Sequence, residues 1–140
     1  MCIRDSLEVA LGLRDEIQLF GDDYETPDGT CIRDYIHVSD IADAHVLALS
    51  SIDELDSGAF NLGTGTGFSN RDVIESVRRV TGHSIPVVPA SRRTGDPARL
   101  VASAARATDV FGWRPAYPTL DVMVEPAWKW RKDRPQPYTA

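Results

Sequence analysis

Residues 59–82, with the sequence AFNLGTGTGFSNRDVIESVRRVTG, decide the fold class. Residues 59–62 predict a short strand, and the glycines that follow predict a turn. Ser69 is a favourable N-cap, and Asp72, three residues later, completes an acidic variant of the capping box. The helix should end at Gly82, which can adopt the left-handed conformation of a C-cap. Its apolar residues recur on one face and predict a buried stripe of Val73, Ile74, Val77 and Val80.

Outward from this unit, short strand patterns alternate with amphipathic helix patterns. Extended segments are predicted at residues 17–20, 31–38 and 85–88. One helix should end near Gly12, and others should run from a cap at Ser39 or Asp40 to about Ser50, from Ser103 through Val110, and from Thr119 to about Asp133. In the second helix the expected apolar positions are Ile41, Ala42, Val46 and Leu49. The pattern is mixed α/β, with fewer strands than a self-sufficient doubly wound sheet needs.

The composition is that of a globular domain. The chain has 140 residues, of which 42% are hydrophobic and 26% charged, and this balance is typical of folded proteins. No apolar run approaches the roughly 18 residues of a membrane-spanning helix, and no secretory signal pattern is present. Two cysteines, Cys2 and Cys31, are too few for a disulfide framework or a metal site. We therefore expect a cytoplasmic protein with no membrane partner and no bound metal.

Charge is distributed unevenly along the chain. Residues 1–58 contain three arginines and 14 carboxylates, a balance of −11, whereas residues 59–140 have a balance of +5. An acidic half argues against nucleic acid as a partner, because counterion release requires a broad basic surface. A local basic cluster in the second half could still bind a small phosphate-bearing ligand.

The glycine-rich turn is a near miss for a dinucleotide-binding loop. Gly63, Gly65 and Gly67 give G-x-G-x-G, and Phe68 occupies the position where the third glycine of G-x-G-x-x-G is needed. About 20 residues later, where an acid would bind the ribose, the chain has a histidine and a serine. We interpret the loop as a turn that leads into a capped helix, with no cofactor-binding residues.

No complete catalytic constellation is present in the sequence. The only lysines, Lys129 and Lys132, are preceded four positions earlier by Glu125 and Trp128, so no tyrosine has the lysine partner that would lower the pKa of its phenol. The sequence also lacks a nucleophile elbow and a phosphate-binding P-loop. Catalytic and metal-binding residues are therefore both predicted to be absent from this chain.

Two short clusters can bind phosphate. In an extended segment, Arg33, Tyr35 and His37 would project to one side and Asp34 and Ile36 to the other. A guanidinium beside a phenol suits a phosphate that is flanked by a ring or a ribose. The second cluster is SRRTGDP at residues 91–97, where an arginine can bind a diphosphate while the aspartate accepts from ribose hydroxyls. Each alone is weak evidence, because most Arg–Asp pairs are surface ion pairs.

These residues also carry a family resemblance. The stretch LFGDDYETPDGTCIRDYIHVSD at residues 19–40 closely resembles the UDP-glucose 4-epimerases, as do FNLG at 60–63, RRTGDPA at 92–98 and Gly112-Trp113. The resemblance implies an α/β fold, namely the C-terminal substrate-binding part of an extended Rossmann-type short-chain dehydrogenase/reductase. It also implies that the N-terminal dinucleotide-binding half is absent from this chain and that residues 7–140 form the UDP-sugar-binding portion. Residues 1–6 match nothing in the family, which raises the hypothesis that they are not native.

The resemblance implies roles for six residues in binding the substrate, UDP-glucose or UDP-galactose. Phe20 would pack near the uracil, Arg33 and Arg93 would contact the diphosphate, Tyr35 would lie beside the nucleotide, Asp96 would reach the ribose, and Asn70 would line the pocket. In the family, bound NAD takes a hydride from C4 of the sugar and returns it to the other face. NAD would be bound by the absent half, through which the full-length protein would also form a homodimer.

Two other interpretations stay open. The full-length protein could be another NAD-dependent nucleotide-sugar epimerase or dehydratase, such as a UDP-glucuronate or pentose epimerase. Alternatively, the chain could be a UDP-sugar-binding module that performs no chemistry. Under the leading interpretation, this chain binds the UDP part of the substrate and is inactive as an epimerase by itself.

Overall fold

A computed structural model describes residues 2–55 and 57–134, and within them the chain forms five helices and five short strands. The helices are α1 (Cys2–Ala10), α2 (Val38–Ser50), α3 (Asn70–Thr81), α4 (Ala105–Phe111) and α5 (Leu120–Asp133). The strands are β1 (Ile17–Phe20), β2 (Ile32–Arg33), β3 (Phe68–Ser69), β4 (Val87–Ala90) and β5 (Arg99–Leu100). The predicted α/β class is confirmed.

The strands form two small sheets. Strands β1 and β4 are parallel, with Ile17 opposite Val87 and Phe20 opposite Ala90. In the second sheet, β2 lies between β3, which is antiparallel to it, and β5, which is parallel to it. Both parallel pairs bring the loops that follow their strands to the same end of a sheet. The residues that follow β1 and β4 therefore come close together, as do those that follow β2 and β5.

Helix α3 forms as its sequence predicts. Ser69 Oγ accepts from the backbone N–H of Asp72 at 3.0 Å, and the Asp72 carboxylate accepts from the backbone N–H of Ser69 at 2.9 Å. This reciprocal pair is the capping box. Gly82 ends the helix with φ of +71°, a left-handed conformation that other residues rarely adopt. The apolar stripe is buried at Val73, Ile74 and Val77.

The described residues pack into two hydrophobic clusters. The first, which we call the closed cluster, joins α1, β1, α3, β4 and α5 through Leu7, Leu19, Ile74, Val77, Ile85, Val124 and their neighbours. The second, which we call the open cluster, joins α2 and α4 through Ala44, Ala107 and Trp113. Phe60 and Leu62 pack against the open cluster.

Four predicted boundaries differ from the structure. Residues 59–62 form no strand because no neighbouring strand lies beside them among the described residues. The extended pattern of residues 31–38 gives only the two-residue strand β2, and the strand predicted at 85–88 begins after Pro86, at Val87. Pro86 itself donates no ladder hydrogen bond, which explains the later start. Helix α4 begins at Ala105, two residues after the predicted cap.

Helix α2 differs from its prediction in both its cap and its buried face. It begins at Val38, and its N-cap is His37, whose Nδ1 accepts from the backbone N–H of Ser39 at 3.1 Å. Of the expected apolar positions, Val46 and Leu49 are exposed, whereas Asp40 and Ala44 are buried. Hydropathy alone selected the wrong face, because apolar residues occur on both sides of this helix.

Residues 2–6 form the first part of α1, where Ser6 is buried. Met1 lies outside the described residues. The division of the chain at residue 6 stays a prediction. Among the described residues, no helix is long and apolar enough to cross a membrane.

Candidate functional site

A cavity of about 490 Å³ lies where the ends of β1 and β2 meet the start of α3 and the loop after β4. The six predicted binding residues all line it, although they are spread over 77 positions of the sequence. They are Phe20, Arg33, Tyr35, Asn70, Arg93 and Asp96. The structure therefore brings together the two phosphate-binding clusters that the sequence analysis identified separately.

Arg33 and Asp96 form an ion pair at the cavity wall. Arg33 Nη2 donates to Asp96 Oδ1 at 3.0 Å, and the two side chains are 21% and 34% exposed. Arg33 Nη1 also donates to the backbone carbonyl of Ile32, its own neighbour, at 2.8 Å. The guanidinium is thus held in one orientation before any ligand binds, which reduces the entropy lost on binding.

A second guanidinium stacks on an aromatic ring at the other side of the cavity. The Arg93 guanidinium carbon lies 3.9 Å from the centre of the Phe20 ring, a cation–π contact. Phe20 is the last residue of β1, and Arg93 lies in the loop after β4. The side chain of Arg93 is exposed, so its N–H groups are accessible to an anionic ligand.

Tyr35 and Asn70 provide neutral polar groups. The Tyr35 hydroxyl donates to Asn70 Oδ1 at 3.4 Å, and Asn70 Nδ2 donates to Cys31 Sγ at 3.8 Å. Burial raises the pKa of the Tyr35 phenol above its ordinary value, so it stays protonated at neutral pH and acts as a donor.

The start of α3 is fixed to the turn that precedes β2. Ser69 Oγ donates to Asp28 Oδ2 at 2.5 Å, while Asp28 Oδ1 accepts from the backbone N–H of Thr30 at 2.9 Å and from its hydroxyl at 2.8 Å. Burial raises the pKa of Asp28, but the hydrogen bonds from Ser69 and Thr30 outweigh it and hold the pKa below its usual value. This carboxylate therefore places Asn70 at the cavity.

The sequence analysis missed the role of Arg92. Its Nε donates to Asp23 Oδ1 at 2.6 Å, its Nη2 donates to the Asp23 carbonyl, and its guanidinium lies 4.2 Å from the centre of the Tyr24 ring. Arg92 thus fastens the loop after β4 to the loop after β1. The only signal in the sequence was the Arg92-Arg93 pair, in which one arginine is structural and the other lines the cavity.

His37 does not line the cavity. The His37 ring caps α2 and stacks on Tyr117, with 4.0 Å between ring centres. Strand β2 ends at Arg33, so the predicted alternation of sides does not extend to His37. Among the described residues, no cluster of His, Cys, Asp or Glu could hold a metal ion.

The glycine-rich turn is occupied by a carboxylate of this chain. Asp34 Oδ1 accepts from the backbone N–H of Thr64 at 2.9 Å, and Asp34 Oδ2 accepts from that of Gly65 at 3.4 Å. A Cβ atom at Gly63 would lie 2.3 Å from Asp34 Oδ2, so a glycine is required there for close approach. These N–H groups are not free to bind a pyrophosphate, and the turn does not fit a dinucleotide.

Comparison with known proteins agrees with this geometry. Residues 3–63 match the model of the NAD dependent epimerase/dehydratase family. The UDP-glucose 4-epimerase of Halalkalibacterium halodurans is 55% identical over 95% of this chain and 40% of its own length. A crystal structure of a UDP-glucose 4-epimerase has a TM-score of 0.94 and 49% identity, and covers 100% of this chain and 43% of that one.

A second solved structure is the UDP-glucose 4-epimerase from Bifidobacterium longum in complex with NAD+ and UDP. It is 40% identical, with a TM-score of 0.86, and the match covers 96% of this chain and 40% of that one. This chain therefore spans about 40% of the length of the relatives it matches, and it corresponds to their C-terminal part. In sequence and in fold, the chain is thus similar to the C-terminal part of UDP-glucose 4-epimerases, and its residues 3–63 match the NAD dependent epimerase/dehydratase family.

Proposed function

We propose that this chain is the UDP-binding part of a UDP-glucose 4-epimerase and that the cavity binds the UDP portion of UDP-glucose and UDP-galactose. One observation carries the proposal. The six residues that the family resemblance implies, two of them arginines and two of them aromatic, line a single cavity. A diphosphate flanked by a base and a ribose requires this combination of cations, a ring and a carboxylate.

The proposed contacts follow from the position of each side chain. The exposed N–H groups of Arg93 and the fixed guanidinium of Arg33 bind the diphosphate oxygens. Phe20, which carries Arg93 on one face, packs near the uracil. Asp96 Oδ1 accepts from Arg33, and the other carboxylate oxygen accepts from a ribose hydroxyl. Tyr35 and Asn70 complete the wall beside the nucleotide.

The cofactor belongs to another part of the family's fold. The family that the chain matches is NAD dependent, and the solved relative from B. longum contains NAD+. The glycine-rich turn of this chain does not fit a dinucleotide, because Asp34 occupies its N–H groups. When bound, NAD supplies the hydride chemistry, and this chain's task is to hold UDP. We expect the chain alone to have no epimerase activity.

Calorimetric titration of the 140-residue chain with UDP tests the binding proposal. UDP should bind, and Arg93→Ala should weaken binding by about 1.5–3 kcal/mol, the range for a hydrogen bond to a charged group. Arg79→Ala is the matched control, because Arg79 pairs with Asp121 on the surface and does not line the cavity. Unchanged affinity in Arg93→Ala would overturn the assignment of Arg93, and no UDP binding by the folded chain would overturn the proposal.

Activity is tested in a joined protein. This chain replaces the matching 40% of the H. halodurans relative and is joined to that relative's N-terminal part. The joined protein should interconvert UDP-galactose and UDP-glucose. Turnover of UDP-glucuronate or a UDP-pentose in place of UDP-galactose would identify a different sugar epimerase. Binding of UDP without turnover of any of these sugars would favour the non-catalytic module. A homodimer of the full-length protein, formed outside this chain, stays a prediction.

A further inference from the structure

Asp34 itself lines the cavity, between Arg33 and Tyr35, but donors of this chain occupy both oxygens of its carboxylate. Oδ1 accepts from the backbone N–H of Thr64 at 2.9 Å and from the Thr64 hydroxyl at 2.7 Å. Oδ2 accepts from the backbone N–H of Gly65 at 3.4 Å and from that of Ala102 at 3.2 Å. One side chain thus fastens three separate segments, which are the residues after β2, the glycine-rich turn and the residues after β5.

The carboxylate is closely enclosed at this point. A Cβ atom at Gly63 would lie 2.3 Å from Asp34 Oδ2 and 3.2 Å from the Cβ atom of Ala102. No side chain larger than that of glycine fits at position 63 unless Asp34 moves. The glycine is therefore a second, independent indication that the position of this carboxylate is tightly constrained.

The backbone that carries Arg33 and Tyr35 leaves the sheet at this point. Strand β2 consists of two residues and ends at Arg33. Beyond it, the backbone N–H of Asp34 donates to the Leu100 carbonyl at 3.1 Å. Because the strand ends here, the four hydrogen bonds of the carboxylate restrain the direction in which the chain leaves β2.

We propose that Asp34 is a positioning residue for the cavity, whose carboxylate fixes the backbone of Arg33 and Tyr35 through its bonds to Thr64, Gly65 and Ala102. The inference rests on the proposed function, because it assigns Asp34 to the UDP-binding site. Replacement by asparagine would put an amide N–H₂ group against backbone donors and would release at least one of the three segments. Arg33 and Tyr35 would then lose their fixed arrangement, and affinity would fall even in molecules that stay folded.

The test compares Asp34→Asn and Gly63→Ala with Asp40→Asn in the 140-residue chain. Asp40 is the matched control, because it is a buried carboxylate that accepts from the backbone N–H groups of Ala116 at 2.8 Å and Tyr117 at 3.2 Å and does not line the cavity. UDP affinity is measured by calorimetry, and folding by thermal unfolding. NMR of the ligand-free chain monitors amide exchange at Thr64 and the ring resonances of Tyr35.

Asp34→Asn and Gly63→Ala should each weaken UDP binding about tenfold, the consequence of losing charged hydrogen bonds at a positioning group. Both should accelerate exchange at Thr64 and shift the Tyr35 ring resonances. Asp40→Asn should lower the unfolding temperature and leave the affinity of the folded molecules unchanged. Combining Asp34→Asn with Gly63→Ala should add little, since both disturb the same contact.

Wild-type affinity in folded Asp34→Asn would overturn the inference, and so would unchanged Thr64 exchange and Tyr35 resonances in the ligand-free variant. The NMR measurements decide the inference independently of UDP. If the wild-type chain does not bind UDP, the proposed function fails, whereas the ligand-free comparison still shows whether Asp34 positions Tyr35.

Discussion

The closed cluster and the open cluster differ in how completely their helices are covered. Helix α3 buries its single apolar stripe against α1 and α5, so Val73 and Val77 have no exposed surface. Helix α2 buries Ala44 against α4 and Trp113, but Val46 and Leu49 on its other side are 62% and 68% exposed. More apolar residues are buried in the closed cluster than in the open cluster, so apolar burial stabilises the closed cluster more.

Polar groups compensate in the open cluster. The indole Nε1 of Trp113 donates to the Asp40 carbonyl at 2.9 Å, and the Asp40 carboxylate accepts from two backbone N–H groups in the loop before α5. A buried charge is tolerated only when it is hydrogen-bonded in this way. Trp113 and Asp40 therefore hold α2 in place, whereas many aliphatic side chains pack around α3 and hold it.

The largest expected effect is the replacement of that tryptophan. Trp113→Ala should lower the free energy of unfolding by about 3–5 kcal/mol, because it removes the largest buried side chain and leaves a cavity between α2 and α4. Urea denaturation measures the change. Trp113→Phe is the control, since it keeps an aromatic ring and loses the indole hydrogen bond, and its effect should be smaller. A loss below about 1 kcal/mol in Trp113→Ala would show that the open cluster contributes little to stability.

A smaller effect on stability is expected at Asp28, which holds the start of α3 in place. Asp28→Asn should lower the free energy of unfolding by about 1.5–3 kcal/mol at neutral pH, because Asp28 accepts charge-assisted hydrogen bonds from Ser69 and Thr30. The pKa of Asp28 is lowered in the folded chain, so its contribution is present above the unfolded value of about 3.9. It is lost as the pH falls through the folded pKa.

Urea denaturation at about pH 7 and again below about pH 3 checks this dependence. The difference between wild type and Asp28→Asn should narrow in acid, because the wild-type carboxylate is then protonated. A difference that stays constant over this range would contradict the lowered pKa as the source of the effect.

The sequence predicted the closed side of the molecule better than the open side. In α3, the cap Ser69, the box residue Asp72 and the terminal Gly82 are local signals, and all three are confirmed. In α2, the N-cap is His37 and the buried acid is Asp40, and neither follows from hydropathy. The choice of buried face there depends on which partner the fold supplies, and a single helix pattern does not contain that information.

In the candidate site, too, some features could be predicted from the sequence and others could not. Charge and ring chemistry indicated the two short motifs that contain Arg33, Tyr35, Arg93 and Asp96, whereas the roles of all six residues, and the choice of Phe20 and Asn70, came from the family resemblance. The supporting contacts were not predicted. Arg92 was predicted only as part of a phosphate-binding cluster and Asp34 only as a side chain opposite Arg33, yet both fasten loops that lie far apart along the chain. Long-range hydrogen bonds of this kind require the tertiary structure.

The smallest effect on stability is expected on the exposed face of α2. A variant that combines Val46→Ser and Leu49→Ser should change the free energy of unfolding by less than about 0.5 kcal/mol per site, because both side chains already contact water. The same variant should remain in solution at higher concentration, since exposed apolar residues on one helix face promote association. Urea denaturation and the concentration at which light scattering rises measure the two effects.

Val77→Ser on α3 is the matched control for this variant. The same type of replacement at a position with no exposed surface should destabilise the chain strongly, because it leaves a hydroxyl in an apolar environment as well as a cavity. If Val46→Ser and Leu49→Ser lowered the free energy of unfolding as much as Val77→Ser does, the exposed face of α2 would be covered in solution, for example by a second copy of the chain. The size of the destabilisation would then depend on protein concentration, as it does for every contact made between molecules.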